Sequence, residues 1–249
     1  MLKFDRHMLI LDALEKEGTV SLSHLMKITE TPRLSIQRDL KELETKQKLK
    51  RVHGGAILVD SAHRGLPKKI REHEKVAVKK ALCKCALQFI HKNDTICIDA
   101  STTCSYLLTY MPDIPLNVIT PALESFRDLA CKQNVTAVLS GGIMNKDTQN
   151  LVGSLTIDVI RKFSYSTCFI SADGFDFNRG SLELDCEESM LKKSMIDVSE
   201  QVIVLIDSSK LSNTKGIVTC PVEKITRIIT NKSMNISWPE EFNNIVIFA

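Results

Sequence analysis

Residues 31–58 read TPRLSIQRDLKELETKQKLKRVHGGAIL, and they organise the N-terminal third of the chain. Ile36, Leu40 and Leu43 recur at i, i+4 and i+7, which predicts a helix with one buried stripe. Two short apolar-bearing runs on either side of Gly54-Gly55 then predict a β-hairpin. Residues 31–58 therefore predict a helix followed by two strands.

Two more helices are predicted upstream. Leu9, Ile10, Ala13 and Leu14 fall on one helical face, and Ser21 can cap the helix that follows. Three short helices followed by a hairpin make a winged helix-turn-helix. In such a module the third helix enters the major groove of DNA.

The third helix and the hairpin supply the candidate DNA contacts. Gln37 can pair with adenine, Arg38 can bind guanine or phosphate, and Lys50 and Arg51 of the hairpin suit phosphates. Asp39 would repel phosphate, so we expect it to hold Arg38 or an arginine of the hairpin. A winged helix that docks protein remains the alternative. The predicted DNA-binding residues are Arg33, Ser35, Gln37, Arg38, Lys41, Lys50, Arg51 and His53.

Charge is unevenly distributed along the chain. Residues 1–92 carry +9 and residues 93–249 carry −6, which together give the net +3. A basic first third favours nucleic acid as a partner. No apolar run is long enough for a membrane span and no signal peptide is evident, so we expect a cytoplasmic protein. The eight cysteines contain no CxxC pair, which favours reduced thiols and predicts neither zinc nor another cofactor.

The rest of the chain alternates short apolar runs with helical stretches. We predict a winged helix over residues 1–60, a linker over 61–67, and an α/β domain over 68–249 that opens with a long basic helix from Lys68 to His91. The alternation predicts a mostly parallel sheet covered on both faces. The predicted strands are 95–98, 116–119, 136–139, 168–170 and 202–206, with edge strands at 225–229 and 245–248.

Several predicted strands end in polar or glycine-rich segments. The first is followed by Asp99-Ala100-Ser101-Thr102-Thr103 at a helix start, where hydroxyls and backbone N–H groups can either bind an anion or cap the helix. Thr120, Gly141-Gly142 and Lys210 follow three other strands. Ligands of parallel sheets bind at the carboxyl ends of the strands. A surface lysine is the alternative for Lys210.

The N-terminal motifs resemble the DNA-binding signature of the DeoR family of bacterial regulators. Residues 35–40, SIQRDL, are similar to its Thr-Ile-Arg-Arg-Asp-Leu, and residues 51–56, RVHGGA, match its Arg-x-His-Gly-Gly-Ala. Gln37 replaces an arginine, and Thr31-Pro32 stands where Val-Ser is common. The resemblance implies operator binding with altered base preference.

The C-terminal motifs resemble the effector domain of that family, which is related in fold to phosphosugar isomerases. Residues 99–103 are similar to its Asp-x-Gly-Thr-Thr and residues 207–210 match its Asp-x-x-Lys, but Pro121 replaces its asparagine. The resemblance implies binding of a phosphorylated sugar. The predicted effector-binding residues are Asp99, Ser101, Thr102, Thr103, Thr120, Gly141, Gly142, Gly174 and Lys210.

The combined prediction is a DNA-binding repressor of a sugar-utilisation operon, forming a homo-oligomer (dimer or tetramer) on double-stranded operator DNA. The enzyme alternative is a phosphosugar isomerase with an attached DNA domain. It would need a general base, and no histidine lies beyond His91. A constitutive DNA-bending protein is the third class, but it would not require a large α/β domain.

Overall fold

The computed structural model describes residues 2–17, 19–45, 48–52, 54–58, 68–146, 148–211, 213–234 and 236–249. The chain divides into two compact units, Met1–Ile70 and Arg71–Ala249. The predicted linker over 61–67 lies outside the described residues. Within the described ranges, no helix is both long and apolar enough to cross a bilayer.

The N-terminal unit is a winged helix-turn-helix, as predicted. Its helices are α1 (Lys3–Glu17), α2 (Leu22–Thr29) and α3 (Arg33–Thr45). Its strands β1 (Thr19–Ser21), β2 (Leu49–Val52) and β3 (Gly55–Leu58) form an antiparallel sheet in the order β1-β3-β2.

Apolar side chains from all three helices close the core of this unit. Ile10 and Leu14 of α1 pack with Leu25 of α2 and with Ile36 and Leu40 of α3. Each of these residues is buried, so the predicted helical stripes face inward except at Leu9, which is 38% exposed.

The helix caps of this unit are partly as predicted. The Ser21 hydroxyl caps α2 by accepting from the His24 amide at 3.1 Å. The sequence predicts Pro32 at the first position of α3 with Thr31 as its cap. Pro32 instead takes the cap position, because its carbonyl accepts from the Ile36 amide at 3.3 Å. Thr31 does not cap α3, since its hydroxyl donates to the Thr29 carbonyl instead.

The larger unit contains helices and strands in alternation. Helix α4 (Lys68–Arg71) spans the division between the units. The further helices are α5 (Val76–Ala86), α6 (Ser105–Tyr110), α7 (Leu123–Ala130), α8 (Ser154–Ile160) and α9 (Cys186–Asp197). The strands are β4 (Thr95–Ile98), β5 (Leu116–Thr120), β6 (Val135–Leu139), β7 (Ile143–Asn145), β8 (Asn150–Val152), β9 (Tyr165–Ile170), β10 (Gly174–Asp176), β11 (Gly180–Glu183), β12 (Ser199–Leu205), β13 (Ile217–Cys220), β14 (Arg227–Thr230) and β15 (Val246–Phe248).

Seven of these strands form one parallel sheet in the order β15-β14-β12-β9-β4-β5-β6. Alternate residues of a strand face opposite sides of the sheet, and each side has its own hydrophobic core. Cys168 packs with α8 and α9 on one side, whereas Phe169 packs with α5 and α6 on the other. The sheet is therefore covered on both faces, as the continuous apolar runs predict. The predicted α/β fold class is confirmed.

The predicted continuous helix from Lys68 to His91 is wrong. Helix α4 ends at Arg71, α5 begins at Val76, and Lys75 between them has a left-handed φ of 53°. Tertiary contacts stabilise this break, because the Tyr106 hydroxyl donates to the Glu72 carbonyl at 3.2 Å and Lys75 Nζ donates to Asp207 Oδ1 at 2.7 Å.

Candidate functional site

Helix α3 presents a polar face on the side opposite its buried stripe. Arg33, Gln37, Arg38 and Lys41 are exposed, and Ser35 is half-buried. These are the five helix residues that the sequence predicts as DNA contacts. Because the N-terminal part of a recognition helix meets base edges, this face is available to the major groove.

Two of the three predicted DNA contacts on the hairpin, Lys50 and Arg51, are exposed. Lys50 is exposed, and Arg51 Nε donates to Glu44 Oε2 at 2.7 Å while the Arg51 amide donates to Glu44 Oε1 at 2.8 Å. These hydrogen bonds hold the pKa of Glu44 below its ordinary value. Arg51 is thus oriented by the end of α3 and remains exposed. His53 lies outside the described residues.

Asp39 has different partners from those predicted. Its carboxylate is buried and receives the guanidinium of Arg6 and the ring of His7, whose Nε2 lies 3.1 Å from Oδ1. Burial raises the pKa of Asp39, but the hydrogen bonds from Arg6 and His7 outweigh burial and lower it overall. Asp39 therefore ties α3 to α1 and does not hold Arg38 or Arg51.

A group of charged side chains lies at the carboxyl ends of the central strands of the parallel sheet. Arg71, Lys79 and Lys210 form what we call the cationic cluster. Lys210 follows β12, and its Nζ donates to the Ala172 carbonyl after β9 at 2.6 Å. Lys79 reaches the same region from α5. Repulsion from Lys210 and Arg71 lowers the pKa of Lys79, and repulsion from Arg71 lowers the pKa of Lys210, so the three cations lie near one another.

Lys79 is buried without a carboxylate at hydrogen-bond distance among the described residues. Its Nζ donates to the Thr102 hydroxyl at 3.0 Å and to the Arg71 carbonyl. Burial first, and then repulsion from Lys210 and Arg71, lower its pKa to about 8. A nearby anion would oppose both effects.

The carboxylates near the cationic cluster neutralise only part of its positive charge. Arg71 lies 3.7 Å from Asp173, and its Nε is buried with no hydrogen-bond partner. The ion pairs of the described residues do not include Lys210, whose pKa is lowered by burial although Asp173 and Asp207 oppose the shift. Lys79 is buried and Arg71 and Lys210 are half-buried, and cations so withdrawn from water with free donors favour binding of an anion.

Asp99 follows β4 at the carboxyl end of the sheet and is 1% exposed. Its Oδ1 accepts from the amide and hydroxyl of Ser101, and its Oδ2 accepts from the Ser171 amide at 2.8 Å. Lys192 Nζ lies 3.2 Å from the same Oδ2 and 2.6 Å from Glu183 Oε1. Burial raises the pKa of Glu183 to about 8 although Lys192 opposes it, whereas the net pKa of Asp99 is lowered. Both Asp99 oxygens are thus engaged within the chain.

Ser101, Thr102 and Thr103 form the turn before α6. The Ser101 hydroxyl accepts from the Cys104 amide at 3.1 Å, so this residue caps the turn. Thr103 is buried, with its hydroxyl 3.4 Å from that of Ser171. Helix α6 has six residues, so its dipole adds little to the site. The cationic cluster is the stronger attraction for an anion.

The remaining predicted effector-binding residues either stabilise loops of the sensor unit or lie further along the sheet. The Thr120 hydroxyl accepts from the Ala122 amide, and Gly174 is packed so closely that a Cβ would lie 2.2 Å from the Asn213 carbonyl. Gly141 and Gly142 have positive φ and follow β6, which is four strands from β12. Four strand spacings amount to about 19 Å. No hydrogen bond or ion pair of the described residues joins this glycine pair to Lys210.

Two residues of the cationic cluster were missed at the level of sequence. Arg71 and Lys79 lie in the basic segment that the sequence predicts as one long helix. Arg71, Lys75 and Lys79 are spaced by four residues, which would place three cations on one helical face. That spacing was the available signal, although the helix is broken at Lys75.

The sequence matches two family models in succession. The DeoR-like helix-turn-helix domain covers residues 6–62, and the DeoR C terminal sensor domain covers residues 74–232. The uncharacterized HTH-type transcriptional regulator YulB of Bacillus subtilis (strain 168) is 31% identical over 235 residues, which are 94% of this chain and 91% of that protein.

Two other proteins are also similar to this chain. The L-fucose operon activator of Haemophilus influenzae is 30% identical over 229 residues, 92% of each chain. Ribose 5-phosphate isomerase A of Methanocaldococcus jannaschii is 12% identical, covers 55% of each chain and has a TM-score of 0.42. The two family models follow the two compact units in order, so the chain belongs to the DeoR family of transcriptional regulators, with a helix-turn-helix domain followed by a sensor domain.

Proposed function

We propose that this chain is a cytoplasmic repressor of a sugar-utilisation operon, released from its operator by a phosphorylated sugar. The observation that carries the effector class is the incompletely paired cationic cluster of Arg71, Lys79 and Lys210 at the carboxyl ends of the sheet. A phosphate group would accept hydrogen bonds from these donors. The sensor unit is then a binding module rather than an isomerase.

In this proposal the cationic cluster binds the phosphate group, and the neighbouring polar groups bind the sugar. The Thr102 hydroxyl already contacts Lys79, which puts it beside the proposed phosphate position. Ser101, Thr103, Thr120 and Gly174 complete the proposed set on sequence grounds. Gly141 and Gly142 belong to the same sequence prediction, but their strand is about 19 Å from β12, so we do not place them at the phosphate. Asp99 takes a supporting role in this proposal, because its oxygens are already engaged by Ser101, Ser171 and Lys192 and it orients the turn at Ser101.

The first test measures binding of sugar phosphates by calorimetry, with the unphosphorylated sugars as comparison. We expect Lys79→Met and Lys210→Met each to weaken the best ligand by about tenfold to a hundredfold, since one charge-assisted hydrogen bond contributes roughly 1.5–3 kcal/mol. Lys80→Met is the matched control, because Lys80 lies over the Tyr106 ring outside the cluster.

The pH dependence gives an independent check of the same site. Lys79 loses its proton as the pH rises through about 8, so phosphate affinity should fall above that pH. The fall should be absent from Lys79→Met. Equal binding of a sugar and its phosphate would contradict the proposal, as would steady conversion of the ligand to an isomer.

The second test concerns operator reading. We expect Gln37→Ala to weaken binding by about 1–3 kcal/mol and to relax the preference at one base position. Lys50→Ala should weaken all duplexes alike and reduce the salt dependence. Duplexes selected from a randomised pool, titrated at several salt concentrations, provide both measurements. An unchanged base preference in Gln37→Ala would show that Gln37 does not contact a base of the operator.

We also propose a homo-oligomer, a dimer or tetramer, because one winged helix covers too little DNA for tight binding. The same titrations should give at least two chains per duplex, and light scattering should give the same stoichiometry without DNA. Adding the effector should lower operator affinity. Tighter operator binding with effector would contradict release by the effector.

A further inference from the structure

One apolar side chain stands out on the polar face of α3. Leu34 is 70% exposed, although it is the second residue of a helix whose other leucines, Leu40 and Leu43, are buried. Arg33, Gln37 and the neighbouring basic residues surround it. The core cluster of this unit does not include it.

Helical geometry places Leu34 at the centre of the exposed face. At about 100° per residue, Leu34 lies opposite the stripe formed by Ile36, Leu40 and Leu43. Arg38 and Lys41 follow it at i+4 and i+7, so they share its direction, and both are exposed. A surface between these cations would face any duplex that they attract.

We propose that Leu34 is a specificity-determining residue that contacts the 5-methyl group of a thymine in each operator half-site. The proposal rests on the DNA binding proposed above. The major groove displays that methyl as its apolar feature, and residues at the start of a recognition helix reach base edges. The positive charge around Leu34 selects nucleic acid over an apolar protein surface as its partner.

The test removes the methyl group alone. The full chain selects its preferred duplex from a randomised pool, and each thymine is then replaced singly by deoxyuridine. We expect one position per half-site at which this replacement weakens wild-type binding by about threefold to fivefold, the effect of one buried methyl. The same replacement should have no effect on Leu34→Ala, whereas Leu34→Met should retain the sensitivity.

The controls separate this contact from general effects. Leu155→Ala removes a similarly exposed leucine, 65% exposed on α8, and should keep the full methyl sensitivity. The salt dependence of Leu34→Ala should equal that of the wild type, because no phosphate contact is lost. Circular dichroism confirms folding of the variants.

Two results would overturn the proposal in distinguishable ways. Sequence-selective binding in which no thymine methyl matters, or matters equally in wild type and Leu34→Ala, would exclude Leu34 and leave DNA binding intact. Failure to select any duplex would overturn the proposed function, and this inference with it. An oligomer that dissociates in Leu34→Ala, with unchanged methyl sensitivity, would reassign Leu34 to a contact between copies of the chain.

Discussion

Replacing Lys192 with methionine should destabilise the sensor unit by about 3–5 kcal/mol, because it leaves buried carboxylates without their counter-ion. Lys192 is 5% exposed and contacts both Asp99 and Glu183. Its Nζ also donates to the Ser171 carbonyl at 2.7 Å. Urea unfolding followed by fluorescence measures the effect, since Trp238 is the one tryptophan and packs against Phe242.

The loss should grow as the pH rises from about 4 to neutrality. Without Lys192, burial would raise the folded-state pKa of Asp99 above its unfolded value. It would also raise that of Glu183 further above the value of about 8 that it has beside Lys192. The folded state would then bind more protons than the unfolded state across that window, so stability would fall with rising pH. In the wild type the pKa of Asp99 is lowered, and its contribution is retained at neutral pH.

Lys193→Met is the matched control for this prediction. It removes the adjacent lysine, which is exposed and forms no ion pair among the described residues. Its unfolding midpoint should stay close to that of the wild type. The double variant Lys192→Met with Glu183→Gln should recover part of the loss. A Lys192→Met variant as stable as Lys193→Met would contradict the assigned role of the buried lysine.

The sheet could be predicted from sequence because its strands are buried on both faces. Residues 95–98 and 202–206 are continuous apolar runs, and the structure places them in β4 and β12. The small strands β7, β8, β10, β11 and β13 were not predicted. They are three or four residues long, too short to show a clear periodicity. β7 pairs with β8 and β10 with β11 in short hairpins, whereas β13 depends on a pairing distant in sequence, Ser181 with Cys220.

The candidate site was only partly predictable for a related reason. The turn at residues 99–103 could be predicted because it is a run of polar residues directly after an apolar strand. The cationic cluster forms because α5 is packed against the sheet after a break in the helix at Lys75, and no local pattern encodes that break. The partners of Asp39 were likewise hidden, since Arg6 is 33 residues away in sequence.

Replacing Asp39 with asparagine should destabilise the winged helix by roughly 2–4 kcal/mol, near the lower end for breaking a buried pair. The side chain of Asp39 is 3% exposed and that of Arg6 is 15% exposed. The change would leave the guanidinium of Arg6 without its carboxylate and loosen α1 from α3. Hydrogen exchange of the α1 and α3 amides measures the loss, and Trp238 fluorescence should report an unchanged sensor unit.

The pH dependence of this loss follows from the lowered pKa of Asp39. A carboxyl whose folded pKa is depressed stabilises the protein above its unfolded pKa of about 4, and that stability is lost as the pH falls through the folded pKa. Wild type and Asp39→Asn should therefore differ at neutral pH and converge in acid. Glu42→Gln is the control, because its exposed pair with Lys3 contributes at most about 1 kcal/mol. Equal losses from Asp39→Asn and Glu42→Gln would show that the buried pair does not hold α1 on α3.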